Sequence, residues 1–566
     1  MSAVLTDNLP LLAGAPNGIK KLRELILELA VRGKLVPQDP SDEPASELLK
    51  RIAEEKARLV AQGKIKKQKP LAGVEEAALP FELPVAWVWA RLGEITNFGT
   101  TTKKDEIPDD AWVLDLEDIE KDTSRLLQKA CFYERNSLSD KNSFAKGDVL
   151  YGKLRPYLNK VLVAEDDGFC TTEILPFRCH GPFVAHYFMV ALKSPYFLSY
   201  VNAKSYGMKM PRLGTEDGRQ ALFPLPPLAE QHRIVAKVEE LMALCDRLEA
   251  RQADADSAHA QLVQALLSRL TQASDAEDFA QNWQRLAEHF HTLFTTESSI
   301  DALKQTLLQL AVMGKLVPQD PNDEPAGLLM TRLRRDRSEW LIDKQLDDPE
   351  CKTMLRKLSL LTEALPPFPL PESWVTVHLI DCSRILVDCH NKTAPYVPAG
   401  IPIIRTSNIR NREFRLDDLK YVNEETYEFW SRRCTPEPGD IMFTREAPMG
   451  EAAIIPDGER FCLGQRTMLV RPMHDFIDNR YLLIALTEPH LLERASTSAI
   501  GSTVKHLRVG DVELLNIPLP PLAEQHRIVA KVDQLMALCV QLKARLSQAQ
   551  QVHEHLASAL VEQAVA

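Results

Sequence analysis

The sequence lacks the features by which several classes of protein are recognised. It has no excess of positive charge, because 68 Lys and Arg residues stand against 79 Asp and Glu, giving a formal net charge of −11 over 566 residues. Ten cysteines include no CxxC pair or other zinc spacing, and no segment approaches the roughly 18 apolar residues of a membrane span. These absences argue against a dedicated basic DNA-binding protein, a zinc protein and a membrane protein. We expect reduced thiols and a soluble, cytoplasmic protein.

Signatures of catalysis and nucleotide binding are also missing. The motifs GxxxxGK[ST], GxGxxG, HExxH and GxSxG do not occur, and the fourteen histidines show no ligand spacing. An acidic cluster could bind a metal, although a solvated loop or strand edge is the simpler interpretation. Its members are Asp115, Glu117, Asp118 and Glu120. We therefore predict no catalytic residue, no metal site and no cofactor on this chain.

What the chain does contain is a long internal repeat. PLPPLAEQHRIVAKV occurs unchanged at 224–238 and 518–532, and LAVRGKLVPQDPSDEPA at 29–45 returns as LAVMGKLVPQDPNDEPA at 310–326. The offset grows from 281 to 294 residues along the chain, so the second copy is longer by thirteen. The ends of the two copies are nearly identical, whereas their middles differ. This pattern indicates a fixed framework that carries two different domains.

The framework segments have the pattern of amphipathic helices. Residues 228–270 and 522–564 contain no proline or glycine, and their apolar residues recur at spacings of three and four. Shorter helices are predicted at 20–33 and 300–314, each ending at a glycine. Because a single apolar stripe needs a partner, we expect 228–270 to pair with 300–314, and 20–33 with 522–564, in a pseudo-symmetric, ring-like body.

In the first eleven residues of the two long helices, 228–238 and 522–532, the polar residues are duplicated together with the apolar ones. Ordinary surface helices are the alternative, but packing alone would not require the same side chains where solvent is expected. We therefore predict that each copy offers an equivalent surface to a partner protein. The predicted partner-binding residues are Glu230, Gln231, His232, Arg233 and Lys237, with Glu524, Gln525, His526, Arg527 and Lys531 in the second copy.

The divergent segments 83–223 and 370–517 are each predicted to form a compact α+β domain. Neither is basic, with 18 Lys and Arg against 19 Asp and Glu in the first and 17 against 21 in the second. In the second, 14 of the 17 cations are arginine, whose planar fork suits guanine and phosphate. A solvated surface explains any one of these residues, but Lys153 and Arg445 occupy matched repeat positions. The candidate DNA-binding residues are Lys153, Arg155, Tyr157, Asn159, Lys160, Tyr206, Lys209, Arg212, Arg405, Asn408, Arg410, Arg412, Arg445, Gln465, Arg466 and Lys505.

The whole pattern resembles the specificity subunit of a type I restriction-modification system. The resemblance is carried by PLPPLAEQHRIV and GKLVPQDP, each present twice, and by the pairs Gly147-Asp148 and Gly439-Asp440. It implies an α+β fold with two globular target-recognition domains, separated by long antiparallel coiled-coil helices in a pseudo-two-fold repeat. It further implies a non-catalytic chain in which each domain reads one half of a split double-stranded DNA target, while the helices set the spacing.

The same resemblance implies partners. These are two methyltransferase subunits that dock on the duplicated helices, and two motor-nuclease subunits that bind through the methyltransferase. S-adenosylmethionine, ATP and Mg²⁺ are expected on those partners. The implied boundaries are an N-terminal helix and linker (1–80), domain 1 (81–223), central helices and linker (224–365), domain 2 (366–517) and a C-terminal helix (518–566). Two insertions depart from the shortest family pattern, at 46–75, which includes KIKKQKP, and at 271–298.

Two other interpretations remain open at this point. The chain could be a structural scaffold whose two divergent domains bind proteins rather than DNA. It could also be an enzyme, such as a metal-dependent nuclease with an acidic site that no motif marks. Neither the target sequence nor its spacer length follows from these residues.

Overall fold

The computed structural model describes residues 9–65, 71, 73, 79–135, 139–274, 276–496 and 506–565. The chain forms two compact units, unit 1 (Met1–Ala255 with Ala549–Ala566) and unit 2 (Asp256–Gln548). Domain 1 lies in unit 1 and domain 2 in unit 2. Within the described part of the chain, none of the helices combines the length and the apolar character that crossing a bilayer requires.

Helices make up the framework and the flanks of each domain. The predicted long helices are confirmed as α9 and α20, which begin directly after PLPP and run for 44 residues each. The predicted insertion at 271–298 is itself helical for most of its length, which interrupts the connection between α9 and α12. In chain order the helices are α1 (Leu9–Gly14), α2 (Gly18–Val31), α3 (Ala45–Ala61), α4 (Leu92–Ile95), α5 (Phe132–Arg135), α6 (Ala185–Lys193), α7 (Pro195–Lys204), α8 (Thr215–Gln220), α9 (Leu228–Thr271), α10 (Ala276–Glu288), α11 (Phe290–Leu293), α12 (Glu297–Val312), α13 (Ala326–Lys344), α14 (Pro349–Leu358), α15 (Leu379–Cys382), α16 (Glu424–Trp430), α17 (Asn479–Thr487), α18 (Pro489–Ser496), α19 (Val509–Glu513) and α20 (Leu522–Val565).

The described residues of domain 1 form three sheets. Its first and last strands pair antiparallel, with Val88 opposite Leu225, so the chain enters and leaves the domain side by side. The others form a four-stranded sheet of order β2-β10-β7-β8 and a five-stranded sheet of order β3-β6-β9-β4-β5. The strands are β1 (Val88–Arg91), β2 (Thr96–Asn97), β3 (Thr100–Thr102), β4 (Trp112–Leu114), β5 (Ala130–Cys131), β6 (Lys141–Phe144), β7 (Val149–Gly152), β8 (Val161–Val163), β9 (Gly168–Thr171), β10 (Ile174–Cys179) and β11 (Leu222–Leu225).

Domain 2 repeats this plan with a second sheet of fewer strands and an additional hairpin. Its entry and exit strands again pair antiparallel, with Val375 opposite Leu519. A four-stranded sheet has the order β13-β21-β18-β19, a three-stranded one the order β17-β14-β20, and β15 and β16 form a hairpin. The strands are β12 (Val375–His378), β13 (Ser383–Asp388), β14 (Ile401–Ile404), β15 (Ile409–Arg410), β16 (Glu413–Phe414), β17 (Lys420–Val422), β18 (Ile441–Thr444), β19 (Ala452–Ile454), β20 (Cys462–Leu463), β21 (Thr467–Pro472) and β22 (Asn516–Leu519).

Both predicted pairings of short and long helices are confirmed. In unit 1, Lys21 of α2 donates to Ser558 Oγ of α20 at 3.0 Å. In unit 2, Leu303 of α12 shares a buried core with Leu267 of α9. Each short helix also packs against the other long helix. Leu25 of α2 shares a buried core with Cys245 of α9, and Leu303 of α12 shares one with Cys539 of α20. The apolar stripes read from the sequence therefore found two partners each rather than one.

The two duplicated signatures bind each other inside each unit. Glu230, at the start of α9, accepts hydrogen bonds from Gln38 Nε2 at 2.6 Å and from Trp87 Nε1 at 2.9 Å. Gln231 accepts one from the backbone N–H of Val184 at 3.0 Å. We call this arrangement of the GKLVPQDP segment, the entry tryptophan and the helix start the framework joint. Burial raises the pKa of Glu230, and the hydrogen bonds from Trp87 and Gln38 oppose that rise.

Unit 2 contains the same framework joint at matched positions. Glu524 accepts from Gln319 Nε2 at 2.6 Å and from Trp374 Nε1 at 3.0 Å. Gln525 accepts from the backbone N–H of Asp478 at 2.9 Å. In each unit the GKLVPQDP segment contacts the helix start PLPPLAEQ. Each copy of the first segment therefore needs a copy of the second, which explains why both are duplicated.

This joint corrects the prediction that the duplicated polar residues face solvent. That prediction is wrong for Glu230, Gln231, Glu524 and Gln525, which are all buried and bonded within their own unit. The arginine and the lysine of each copy are half-buried and bonded within the protein. Arg233 pairs with Asp42, and the matching Arg527 pairs with Asp323. Lys237 pairs with Glu240, and the matching Lys531 donates to Gln534. His232 and His526 are the exposed members, and His526 lies 3.7 Å from Asp478. Packing therefore accounts for most of the duplicated polar residues.

His180, directly after β10, is buried in unit 1, and burial lowers its pKa to about 4, with Lys56 adding to the effect. The unfolded chain binds this proton near pH 6.5, so the folded state loses stability as the pH falls from 6.5 to 4. Between pH 7 and 5 we expect unit 1 to lose about 2 kcal/mol through this group. Urea unfolding at both pH values should show this loss, and His180→Gln should show a pH dependence smaller by that amount. An unchanged pH dependence in the variant would contradict the assignment.

Candidate nucleic-acid interface

Loops of domain 2 meet at one edge, where its strands end. The backbone N–H of Gly464 donates to Ile404 O at 2.9 Å, and that of Arg445 to Arg466 O at 3.0 Å. Leu507 N–H then donates to Arg445 O at 3.1 Å. These bonds bring together the segments 405–412, 445–451, 464–466 and 506–507, which we call loop edge 2.

Domain 1 builds the same edge with the same backbone bonds. Lys153 N–H donates to Glu173 O at 2.9 Å, and Leu213 N–H to Lys153 O at 3.0 Å. Lys153 thus occupies the position of Arg445, as the repeat predicts. The segments 115–118, 153–160, 172–173 and 206–213 form loop edge 1, with Lys160 Nζ joining the first two through its bond to Leu116 O at 2.7 Å.

Loop edge 1 gathers the predicted residues of domain 1, but not all of them are available to a ligand. Tyr157, Tyr206 and Lys209 are exposed, and Lys153 and Arg155 are half-buried. Arg212 pairs with Glu173 at 3.0 Å and keeps an exposed guanidinium. Asn159 is a correction, because its side chain is buried and donates to Lys193 O at 3.3 Å. Lys160 is half-buried, and its ammonium donates to Leu116 O within the loop edge.

Loop edge 2 offers Arg466 and Gln465 next to each other. Arg466 is half-exposed and its Nε lies 2.8 Å from Glu446 Oε1. Gln465 Nε2 donates to Asn391 O at 3.5 Å.

Two other arginines of loop edge 2 bond within the protein. Arg410 donates to Thr406 O at 2.6 Å, and Arg405 donates to Asp418 O at 2.7 Å. Arg412 lies in the two-residue turn between β15 and β16, where burial lowers its pKa against the opposing effect of Asp533. Lys505 falls outside the described residues.

One predicted contact of domain 2 is corrected by burial, and a second residue, Arg445, is half-buried and paired within the protein. Asn408 is 2 % exposed, and its amide bonds to Arg415 O at 3.2 Å and Asp418 O at 3.1 Å, so it closes the loop instead of facing a ligand. Arg445 forms an inward ion pair with Asp388 at 3.1 Å. Burial raises the pKa of Asp388, and Arg445 opposes that rise.

The two loop edges differ in charge at equivalent positions. Asp115 N–H donates to Asp118 Oδ2 at 2.7 Å, and Arg405 N–H donates to Asn408 Oδ1 at 3.1 Å, in the same turn of each domain. Arg135 partly offsets the charge of the acidic cluster of domain 1, because it forms ion pairs with Asp115, Glu117 and Asp118. Among the described residues, no group of His, Cys, Asp and Glu side chains has the arrangement of a metal site.

An aromatic group that no sequence pattern reveals lies beside loop edge 2. Arg432 lies 4.1 Å above the ring of Phe429, and the His390 ring lies 4.7 Å from that of Trp430. Phe429 is half-exposed, and Asn391, next to His390, accepts from Gln465 of the loop edge. Exposed aromatic rings beside arginine suit contact with bases. In the sequence this group is visible only as the short run FWSRR at 429–433, and no repeat or regular spacing relates that run to the other loops.

Fold and site together define a class of protein: two copies of one α/β domain on duplicated helical joints, with different polar loops at the same edge. Comparisons with known proteins agree with this description. Residues 371–550 match the family described as Type I restriction modification DNA specificity domain. The chain is 36% identical over 567 residues to the type I restriction enzyme EcoAI specificity subunit of Escherichia coli, covering 97% of this chain and 94% of that one.

A second relative, the type I restriction enzyme EcoEI specificity subunit of Escherichia coli, is also 36% identical, over 583 residues, with 97% of this chain and 94% of that one covered. A solved chain from work on complex assembly and conformational transition of the type I R-M system has the same fold, with a TM-score of 0.51. It is 20% identical, and the match covers 86% of this chain and 99% of that one. The chain belongs to the family of type I restriction enzyme specificity subunits.

Proposed function

We propose that this chain is the DNA-specificity subunit of a type I restriction-modification complex. Domain 1 and domain 2 each read one half of a bipartite double-stranded DNA target, and the long helices fix the spacing between the halves. The observation that carries this proposal is the combination of an identical framework joint in each unit with different loop chemistry at the same edge. A protein that reads two different half-sites needs constant supports and variable reading loops.

The partners follow from the same proposal. Two methyltransferase subunits dock on the duplicated helices, and two motor-nuclease subunits bind through the methyltransferase. The chain itself is non-catalytic and cytoplasmic, and S-adenosylmethionine, ATP and Mg²⁺ are bound by the partners. Because this chain carries a net charge of −11, we assign most of the clamping on the phosphate backbone to those partners.

Co-expression of the chain with its methyltransferase in a host without other modification tests the proposal. Single-molecule sequencing should show methylation at one asymmetric sequence made of two short halves and an unspecified spacer. The methyltransferase without this chain should leave the genome unmodified. Absence of any bipartite motif in the co-expressing host would overturn the proposal.

Arg466→Ala should relax one half of the methylated sequence and leave the other half intact. Arg466 is the half-exposed guanidinium of loop edge 2, and a bidentate contact of arginine with a base contributes about 1–3 kcal/mol of discrimination. The matched control is Arg460→Ala. Arg460 is equally exposed and ion-paired, with Glu424, and it precedes β20 whereas Arg466 follows that strand. The same sequencing assay should give the wild-type motif for the control.

Two results would favour the other interpretations. If the assembled complex does not bind DNA and Arg466→Ala has no effect on sequence choice, the chain is a structural scaffold with two protein-binding domains. Cleavage of DNA by the isolated chain, dependent on added Mg²⁺, would make it a nuclease.

A further inference from the structure

Domain 1 projects an apolar hairpin from loop edge 1. Tyr206 and Arg212 exchange backbone hydrogen bonds of 3.1 and 2.9 Å, which close a loop of five residues between them. At its tip Met208 is 100% exposed and Met210 is 54% exposed. Gly207 allows the tight entry into the loop, since its φ is +101° and a side chain there would approach Met210 O at 3.1 Å. Two exposed methionines in so short a loop form an apolar tip that a ligand can reach.

The hairpin is held firmly at its base. Arg155 N–H donates to Pro211 O at 2.7 Å, and Leu213 N–H donates to Lys153 O at 3.0 Å. These bonds attach the hairpin to the segment that follows β7, in the centre of the four-stranded sheet. The tip is thereby presented on a rigid support, and the thioether side chains at its end can still adapt to a surface.

The charges around the hairpin select the ligand. Lys204 and Lys209 are exposed on either side of Met208, and the exposed Arg212 closes the loop. Glu173 is the carboxylate that Arg212 pairs with. An apolar tip between cations suits duplex DNA, because the cations approach phosphates while the apolar side chains reach the bases.

We propose that this hairpin is a wedge, with Met208 inserted between two base pairs of the half-site read by domain 1 and Met210 supporting it. This inference rests on the proposed function and adds a specificity-determining residue to it. Insertion unstacks one base step, so the half-site must contain a step that unstacks at low cost, such as a pyrimidine–purine step. Domain 1 then chooses its half-site through DNA deformability as well as through direct contacts.

The test uses the assembled complex with its methyltransferase and a duplex carrying the methylated sequence. 2-Aminopurine is placed in turn at each adenine of the domain 1 half-site except the adenine that becomes methylated, because methyltransferases flip that base by themselves. Where the half-site contains no adenine other than the methylated one, 2-aminopurine is placed at the position directly flanking the half-site, opposite thymine. We expect a rise in fluorescence at one step with the wild-type complex. Met208→Ala should abolish that rise and lower kcat/KM for methylation roughly tenfold.

Two variants make the result specific. Met208→Leu keeps an apolar side chain of similar size and should retain both the fluorescence rise and the methylation rate. Val85→Ala truncates another fully exposed apolar side chain of unit 1 and should change neither. Because all of these side chains are exposed, the variants should fold as the wild type does.

The outcomes separate the wedge from the proposed function. A wild-type complex that methylates no bipartite sequence overturns both. If the wild-type complex methylates its target but gives no fluorescence rise at any step, the wedge alone is wrong. The wedge is also wrong if Met208→Ala retains the rise and the wild-type rate.

Discussion

Replacing Glu524 with alanine is expected to lower the free energy of unfolding of unit 2 by about 2 kcal/mol. Glu524 is fully buried, and its carboxylate accepts from Gln319 Nε2 at 2.6 Å and from Trp374 Nε1 at 3.0 Å. Removing it leaves the buried Trp374 Nε1–H without an acceptor, whereas the exposed Gln319 keeps Gly314 O at 3.4 Å. An unpaired buried donor costs roughly 1–3 kcal/mol. Chemical denaturation followed by tryptophan fluorescence measures the loss. The equivalent Glu230→Ala should destabilise unit 1 by a similar amount.

The neighbouring histidine provides the control for this prediction. His526→Ala removes a side chain that is 61% exposed on the same helical turn, and it should change the free energy of unfolding by less than about 0.5 kcal/mol. In a double-mutant cycle, Trp374→Phe and Glu524→Ala should be less than additive, because both remove the same hydrogen bond. Additive effects, or a loss below about 1 kcal/mol for Glu524→Ala, would contradict the account of the framework joint.

Asp381→Ala is expected to destabilise unit 2 by about 3–5 kcal/mol, since it leaves a buried cation without its counter-ion. Arg337 of α13 is 3% exposed and donates to Asp381 Oδ1 at 2.8 Å. Arg334 donates to the other carboxylate oxygen, Oδ2, at 3.0 Å. Burial alone would raise the pKa of Asp381, but the hydrogen bonds from the two arginines outweigh it, and the pKa lies below its ordinary value. Urea unfolding at pH 7 measures the loss.

The sign of the pH dependence follows from that lowered pKa. The stabilisation by Asp381 is present at neutral pH, where the carboxylate is charged in both the folded and the unfolded chain. It is lost as the pH falls below the ordinary value of about 3.8, because the unfolded chain takes up the proton first. Asp381→Ala should therefore remove part of the acid sensitivity of unit 2. Asp343→Ala is the control, as Asp343 is 74% exposed, pairs with Lys344 at 3.6 Å, and should have almost no effect.

The sequence predicted the framework well because helices leave a periodic signal. The apolar spacing in 228–270 and 522–564 matches α9 and α20 to within one residue at each end. The short runs at 440–445 and 467–471 are rich in β-branched and apolar residues, which favour strands, and they correspond to β18 and β21. Both kinds of element are fixed by residues close together in the chain, so their patterns can be read without knowing the fold.

The candidate interface was predicted less well, because availability to a ligand depends on distant parts of the chain. Asn408 and Arg466 both looked like polar loop residues, yet one is buried in its own loop and the other is half-exposed. They differ in exposure because the Asn408 amide bonds to Arg415 O and Asp418 O within the protein, whereas the Arg466 side chain remains half in solvent. The hairpin tip at Met208 was also missed, because methionine between lysines has no periodic pattern and only the bonds to Arg155 and Lys153 show it to be a supported projection.

What the sequence by itself determined is that one framework occurs twice and holds two different domains, since near-identical segments fold in the same way wherever they occur. It also established the long helices, whose local hydrogen bonds and apolar stripes depend on neighbouring residues. Only the tertiary structure decided why the framework is duplicated so exactly: Glu230 and Glu524 are kept with their tryptophans because each carboxylate is buried against donors more than 140 residues away in the chain. A buried polar group must find its partners inside the protein, and no local pattern records which residues those are.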